Sequence, residues 1–338
     1  MILVTGGTGL VGSNLLAKLV TKNKPIRAIY RKSSNLDTVK KVFSYYHKDY
    51  LEKFHAIEWM VGDLNDIASL EKAYQNIETV YHCAAIVSFN KKDYQAMRTA
   101  NIEGTANMVN LAIANNINKF CYVSSIATIE KNANPDTLIT EENEWNKETN
   151  NYGYAITKYG AEMEVWRATQ EGLDVVIVNP GVILGSGFWH NGPGELFTKA
   201  YKEFRFYTEG VTGFVSVKDV VIAMIALMES SITNERFILV SENISFKELF
   251  YKMTDAFHKK RPSIKVGKTL SNIAWRMEAF KSFITKKPPL ITKHSASASL
   301  SKYKYDNSKI KRAINFNFEP IELTIKNICY TYLKEKRN

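Results

Sequence analysis

Cysteine is scarce: Cys83, Cys121 and Cys329 are the only three in 338 residues. Their spacing suits no metal site, and reduced thiols in a cytoplasmic protein are the simple reading. Long apolar runs are also missing. None approaches the ~18 residues needed to span a bilayer; the longest, Val220-Val221-Ile222-Ala223-Met224-Ile225-Ala226-Leu227-Met228, fits a buried helix. No secretory leader is read before Met1-Ile2-Leu3-Val4, because that segment already reads as a strand. Internal repeats are absent. Acidic residues are few toward the C-terminus: from residue 258 onward there are 19 Lys and Arg against 5 Asp and Glu, whereas the remainder carries 26 against 29. A basic portion of this kind can steer an anionic substrate, touch a membrane surface or simply be a solvated face. No nucleic-acid-binding motif accompanies it, so no nucleic-acid partner is expected. With 45% apolar and 23% charged residues, the chain has room for a large α/β domain plus a smaller lobe.

At the start, Met1-Ile2-Leu3-Val4 enters Thr5-Gly6-Gly7-Thr8-Gly9-Leu10-Val11-Gly12, and an apolar periodic segment follows through Leu15, Leu16, Leu19 and Val20. The order is strand, turn, helix. Gly6 permits a tight turn, Gly9 lets backbone approach a pyrophosphate, and Gly12 lets helix and strand pack closely. The segment containing Gly6, Thr8, Gly9, Leu10, Val11 and Gly12 is read as dinucleotide-binding, with free N–H groups at the helix N-terminus facing phosphates. The next strand, Pro25-Ile26-Arg27-Ala28-Ile29-Tyr30, ends at Arg31-Lys32-Ser33-Ser34. A site for NAD usually places Asp or Glu there, on the ribose 2′-hydroxyl. Cations suit a 2′-phosphate instead. Arg31 and Lys32 therefore favour NADP(H), with NAD(H) as the alternative if they are only solvated surface charges.

Tyr154 and Lys158 lie one helical turn apart in Tyr154-Ala155-Ile156-Thr157-Lys158. An ammonium at that distance favours the phenolate and is expected to lower the tyrosine pKa from ~10, giving an acid/base for a carbonyl or alcohol oxygen. Tyr152 is the poorer choice, since its fourth neighbour is Ile156; Tyr159 cannot share the Lys158 face.

With both ends in view, the chain resembles the extended short-chain dehydrogenase/reductase family over roughly residues 1–250, and most of all its dihydroflavonol-reductase and 3β-hydroxysteroid-dehydrogenase-like members. Further landmarks come in the family's order: Gly62-Asp63-Leu64-Asn65-Asp66, Val80-Tyr81-His82-Cys83-Ala84-Ala85, Asn101-Ile102-Glu103-Gly104-Thr105, Phe120-Cys121-Tyr122-Val123-Ser124-Ser125, Asn179-Pro180-Gly181-Val182-Ile183 and Val215-Ser216-Val217-Lys218-Asp219-Val220. The resemblance implies cofactor contacts at Asp63 and Leu64 (adenine), at Ala84 (under the cofactor), and at Pro180 and Val182 (nicotinamide). It also implies a catalytic set of Ser125, Tyr154 and Lys158. Lys158 would hold the ribose and polarise Tyr154, Tyr154 would protonate the carbonyl oxygen, and Ser125 would stabilise that oxygen's charge. Ser124 and Ser125 face opposite ways on a strand; the family pattern favours Ser125, with Thr128 a weaker substitute. His82 reads as a packed strand residue, since no ligand cluster joins it.

Alternating strand and helix signals up to about residue 180 define the fold class: α/β, a Rossmann-type doubly wound parallel sheet with a smaller, mostly helical C-terminal substrate lobe. The dinucleotide domain is expected over 1–184, rejoined by about 214–240, and the lobe over 185–213 and 241–338. The aromatics of 185–213 (Phe188, Trp189, Phe197, Tyr201, Phe204, Phe206, Tyr207) suggest a pocket for an apolar or ring-shaped substrate, the alternative being a helix plus hairpin with its own small core. Ile273, Trp275, Met277, Phe280, Phe283 and Ile284 lie at imperfect helical spacing in a Lys-rich segment, which either caps the lobe or lies on a membrane. Lys286-Lys287-Pro288-Pro289 should end that helix.

The reading is an NADP(H)-dependent oxidoreductase that reduces a small carbonyl compound or oxidises the alcohol. A sugar-nucleotide epimerase or dehydratase that retains NAD is the first alternative; Arg31, and Asn179 where many such enzymes carry Arg, weigh against it. A non-catalytic dinucleotide sensor is the second. The resemblance implies a homodimer through the helices of Asn101 and Tyr154, with a monomer as the other outcome.

Overall fold

A computed structural model describes residues 1–132, 134, 136–146, 151–285 and 292–337, apart from the side chains of 279, 280, 283 and 284. The first half alternates as read: β1 (Ile2–Thr5), α1 (Leu10–Leu19), β2 (Ile26–Tyr30), α2 (Leu36–Ser44), α3 (Tyr50–His55), β3 (Glu58–Val61), α4 (Ile67–Tyr74), β4 (Thr79–His82), α5 (Tyr94–Met97), a π-helical stretch (Arg98–Glu103) running into α6 (Gly104–Ala114), β5 (Lys119–Val123), α7 (Gly153–Gln170) and β6 (Val175–Pro180). The remainder is β7 (Val182–Leu184), α8 (Gly194–Tyr201), β8 (Phe206–Tyr207), β9 (Val211–Ser216), α9 (Val217–Glu229), β10 (Glu235–Leu239), β11 (Glu242–Ser245), α10 (Phe246–Ala256), β12 (Ile264–Lys265), α11 (Lys268–Thr285), α12 (Lys293–Ala298), α13 (Ser308–Ile314) and α14 (Ile321–Arg337).

Seven strands form one sheet in the order β10-β6-β5-β4-β1-β2-β3. Every pairing in it is parallel. Strands covered on both faces need no alternation, and β1, β5 and β6 are buried at every residue. On one face, α1 and α9 close a core around Val4, Leu16, Val176 and Met224; on the other, Leu3, Val109, Phe120 and Val165 pack beneath α4, α6 and α7. From β1 the chain runs outward through β2 and β3 on one side, then crosses back to β4 on the other. This reversal opens a crevice at the carboxyl ends of the strands, where parallel α/β sheets place their ligands.

A third core belongs to the smaller lobe, where α8, α10 and α14 surround Trp189, Phe197, Phe257 and Tyr332. Ser245 caps α10 by accepting the Glu248 N–H at 3.1 Å. Residues 185–213 therefore differ from the pocket expectation. Trp189, Phe197 and Tyr201 form lobe core, Tyr201 meeting Phe257 and Tyr332 edge-on or tilted. Phe204 and Phe206 are exposed and touch each other. There is no hairpin either, because β8 pairs in parallel with β12. The lobe's tail also serves the main sheet: Ile310 and Phe316 pack in the core beneath α1 and α9. The break expected at Lys286-Lys287-Pro288-Pro289 and the side chains of Phe280, Phe283 and Ile284 lie outside the described residues.

Candidate active site

The crevice is floored by glycine. Gly6 has φ +67°, and a Cβ there would sit 2.6 Å from the Ala84 nitrogen beyond β4. A Cβ on Gly12 would meet the Gly6 carbonyl oxygen at 2.2 Å. Only glycine lets the turn, the helix and the neighbouring strand close this tightly. Gly9 is exposed and begins α1 without a side-chain cap, so the first-turn N–H groups through Leu10, Val11 and Gly12 stay available to an anion. Thr5 Oγ1 lies 3.3 Å from the Ala84 N–H and 2.6 Å from His82 Nδ1. Thr105 Oγ1 takes up the other His82 nitrogen at 3.0 Å. His82 is wholly buried, and burial drives its pKa down to about 3, so it is a neutral packing residue. No metal-ligand cluster occurs among the described residues.

Arg31 and Lys32 follow β2 on the same edge. Both are exposed, and neither side chain has an ion-pair or hydrogen-bond partner among the described residues. Arg27, in contrast, is buried and fixed by Glu58 and by the Ala73 and Gln75 carbonyls. Asp63 is exposed beyond β3, accepting the Asn65 N–H at 3.0 Å. Leu64 packs against Gly104 of α6. Pro180 is buried at the end of β6, and Val182 is half-buried just past it.

At the end of β5 the two serines part. Ser124 is buried and donates to Glu162 at 2.5 Å. Ser125 is half-buried, accepts the Ala127 N–H at 3.1 Å, and sits near enough to the Tyr154 phenol to oppose the rise in its pKa. Thr128 is wholly buried and also donates to Glu162, at 2.7 Å. Asn101, in the π-helical stretch, donates to Thr157 of α7 at 3.2 Å and exchanges two hydrogen bonds with the Ile86 backbone. These bonds fix the first turn of α7 against the loop that follows β4.

Lys158 is almost fully buried. Its Nζ donates to the Val123 carbonyl and the Tyr122 hydroxyl, each at 2.7 Å. The electrostatics run against the sequence expectation. Burial pushes the Tyr154 phenol up to about 12, and the neighbouring Ser125 hydroxyl only moderates this. Lys158 is itself pushed down by burial to about 7, with Glu162 opposing the shift. Desolvation thus outweighs the expected pull of the ammonium on the phenol.

Glu162, a further turn along α7, escaped the sequence reading. It has no solvent exposure and accepts from Ser124, Thr128, Asn179 and Arg236. The signal was present as a Tyr154-Lys158-Glu162 ladder at intervals of four. Tyr152, set aside in favour of Tyr154, stands in a row of rings: it stacks on Phe89 (5.5 Å) and Tyr154 (6.1 Å) and meets His294 of α12 at 5.8 Å. Tyr159 points elsewhere, stacked on Trp145.

A nucleotide-binding switch point with Ser, Tyr and Lys converging beside it is the arrangement of a dehydrogenase/reductase. The profile of the family described as "Male sterility protein", an NAD-binding domain, matches residues 4–244. The chain belongs to the extended short-chain dehydrogenase/reductase superfamily, also called the NAD-dependent epimerase/dehydratase superfamily. It is an oxidoreductase of that type, acting between CH–OH and C=O, with a nicotinamide dinucleotide as cofactor. Among relatives, it is 32% identical over 253 residues to a putative dihydroflavonol 4-reductase of Synechocystis, covering 72% of this chain and 68% of that one. It is 26% identical over 320 residues to sterol demethylase protein B of Methylococcus capsulatus, covering 92% of each. The crystal structure of UDP-glucose 4-epimerase from Thermotoga maritima shares the fold, with a TM-score of 0.77 at 19% identity over 99% of both chains. No helix among the described residues is long and apolar enough to cross a membrane.

Proposed function

We propose that the protein is an NADP(H)-dependent reductase of a carbonyl on an apolar, ring-bearing substrate, working through Ser125, Tyr154 and Lys158. The observation that carries this reading is the anchoring of α7 on the end of β5, where Lys158 Nζ donates to the Val123 carbonyl; it brings Tyr154 to the strand end that Ser125 follows, beside the row of Tyr152, Phe89 and His294. The bound cofactor would supply a hydride to the carbonyl carbon. Gly6, Thr8, Gly9, Leu10, Val11 and Gly12 would hold its pyrophosphate, Asp63, Leu64 and Ala84 would line the adenine side and the floor, and Pro180 and Val182 would flank the nicotinamide. Arg31 and Lys32, charged and unengaged, suit a 2′-phosphate.

As the carbonyl π pair moves onto oxygen, Tyr154 gives its phenolic proton to that oxygen. A phenol held protonated to about 12 is in the required state at neutral pH, which supports reduction over oxidation as the working direction. Ser125 donates to the same oxygen and stabilises its charge as it develops. Lys158, anchored on Val123 and Tyr122, fixes the polar floor behind Tyr154. Three relatives bear names concerned with sterols or steroids, which supports a ring-shaped apolar substrate. The three free thiols, Cys83, Cys121 and Cys329, suit a cytoplasmic setting. The test is NADPH consumption with a panel of aromatic and alicyclic ketones and aldehydes. Turnover with NADPH supports the reading. No turnover, together with NAD that copurifies and is reduced and reoxidised within one cycle, would replace it with the epimerase alternative.

A further inference from the structure

We propose that the outer face of α11 docks on an anionic lipid bilayer, and that the apolar substrate reaches the crevice from that bilayer. The second half of this proposal rests on the functional reading above; the first half stands alone.

α11 is amphipathic in an unusual sense. Ser271 is buried, and Ala274, Trp275 and Glu278 are half-buried on its inner side. On its outer side Leu270, Ile273 and Met277 are 42%, 50% and 67% exposed. Their spacing of three and four makes one stripe along the helix, where a helix on a water-facing surface carries polar groups. Arg276 and Lys281 are exposed, and at 100° per residue they fall on opposite flanks of that stripe. Just before the helix, Ile264 is exposed and pairs across β12 and β8 with exposed Phe206, which touches exposed Phe204. Six large apolar side chains thus stand exposed on α11 and the strand pair that leads into it.

Charge selects the occupant. α11 itself carries Lys268, Arg276 and Lys281 against the single acid Glu278. A second copy of this chain would bring the same excess to the contact. An anionic lipid surface is complementary in charge: an interfacial helix needs only an apolar stripe with flanking Lys and Arg. The placement also suits delivery. α11 packs on α12, and α12 carries His294, which meets Tyr152 beside Tyr154.

The experiment is flotation of the full chain with vesicles of phosphatidylcholine alone and of phosphatidylcholine with about one-third phosphatidylserine. Anionic vesicles should retain at least ~10-fold more protein, and raised salt should remove most of the difference. The triple variant Leu270→Ser, Ile273→Ser, Met277→Ser should lose ~10-fold in binding, as should Arg276→Glu with Lys281→Glu. Both variants should keep wild-type NADPH-dependent turnover of a small water-soluble carbonyl compound, which also reports that they fold. Equal binding to neutral and anionic vesicles, or a triple variant that binds as wild type does, would overturn the proposal. So would a wild-type dimer that the triple variant converts to monomer without any vesicle binding. Absent turnover in the wild type would strike the functional reading and leave the flotation result to decide the surface.

Discussion

Ser124 donates its hydroxyl to Glu162 at 2.5 Å in a pocket closed to solvent, and this bond divides the labour of two adjacent serines. Ser124 is committed to the carboxylate behind α7, which leaves Ser125 for the crevice.

Opposite outcomes are expected for the two alanine substitutions. Ser125→Ala should lower kcat by ~10²–10³-fold, as loss of an oxyanion donor does, with the urea midpoint unchanged. Ser124→Ala should leave a buried carboxylate short of one donor and cost ~1–3 kcal/mol of stability, with a much smaller effect on kcat. Steady-state kinetics and urea melts on both variants check this.

The two directions of reaction should differ in pH dependence. Reduction needs Tyr154 protonated, which holds up to about 12, whereas oxidation needs the phenolate and should keep rising with pH. Lys158 loses its proton near about 7. If its charge supports proton delivery, the rate of reduction should decline as pH rises through that value, and Lys158→Met should lose that inflection along with most activity. Initial rates in both directions across the pH range test the assignment.

His82 and Lys158 each contribute stability that climbs with pH in its own window, while Asp219, raised by burial from 3.8 to about 6, works in the opposite sense between those values. His82 is held neutral down to about 3 against a usual 6.5, so the unfolded chain binds the extra proton between those values and stability is lost as pH falls through them. Lys158, lowered from 10.5 to about 7, gives the same sign in its own window, with stability rising from about 7 to 10.5. His82→Gln should flatten the acid limb. Urea midpoints measured along a pH series decide this, and an unchanged acid limb in the variant would count against it.

Cofactor choice should rest on Arg31 more than on Lys32, because a guanidinium grips phosphate in bidentate fashion. In fluorescence titrations at moderate salt the wild type should bind NADPH more tightly than NADH. Arg31→Ala should weaken NADPH by ~10-fold or more and leave NADH nearly unchanged. Equal affinities in the wild type would make Arg31 a surface cation.

The sheet and the crevice were legible in the sequence because their signals are local. The glycines at 6, 9 and 12 and the strand that precedes them lie within a dozen residues, and Tyr154 and Lys158 are one helical turn apart. What was missed depends on distant segments meeting. Glu162 looks like an ordinary helical acid until the ends of β5, β6 and β10 deliver Ser124, Asn179 and Arg236 to it. The expected lowering of the Tyr154 pKa failed because spacing reveals the neighbour and not the burial, and burial dominates. Trp189, Phe197 and Tyr201 suggested a pocket wall because aromatics are equally at home in a core. The deciding partners, Phe257 and Tyr332, arrive from α10 and α14, far along the chain.

The most direct measurement is NADPH oxidation by wild type and Tyr154→Phe with whichever ketone or aldehyde the wild type turns over, paired with NADPH titration of both. The account predicts that the variant binds NADPH as the wild type does and loses turnover by at least ~10³-fold. A variant that binds the cofactor and still turns over at a comparable rate would contradict it.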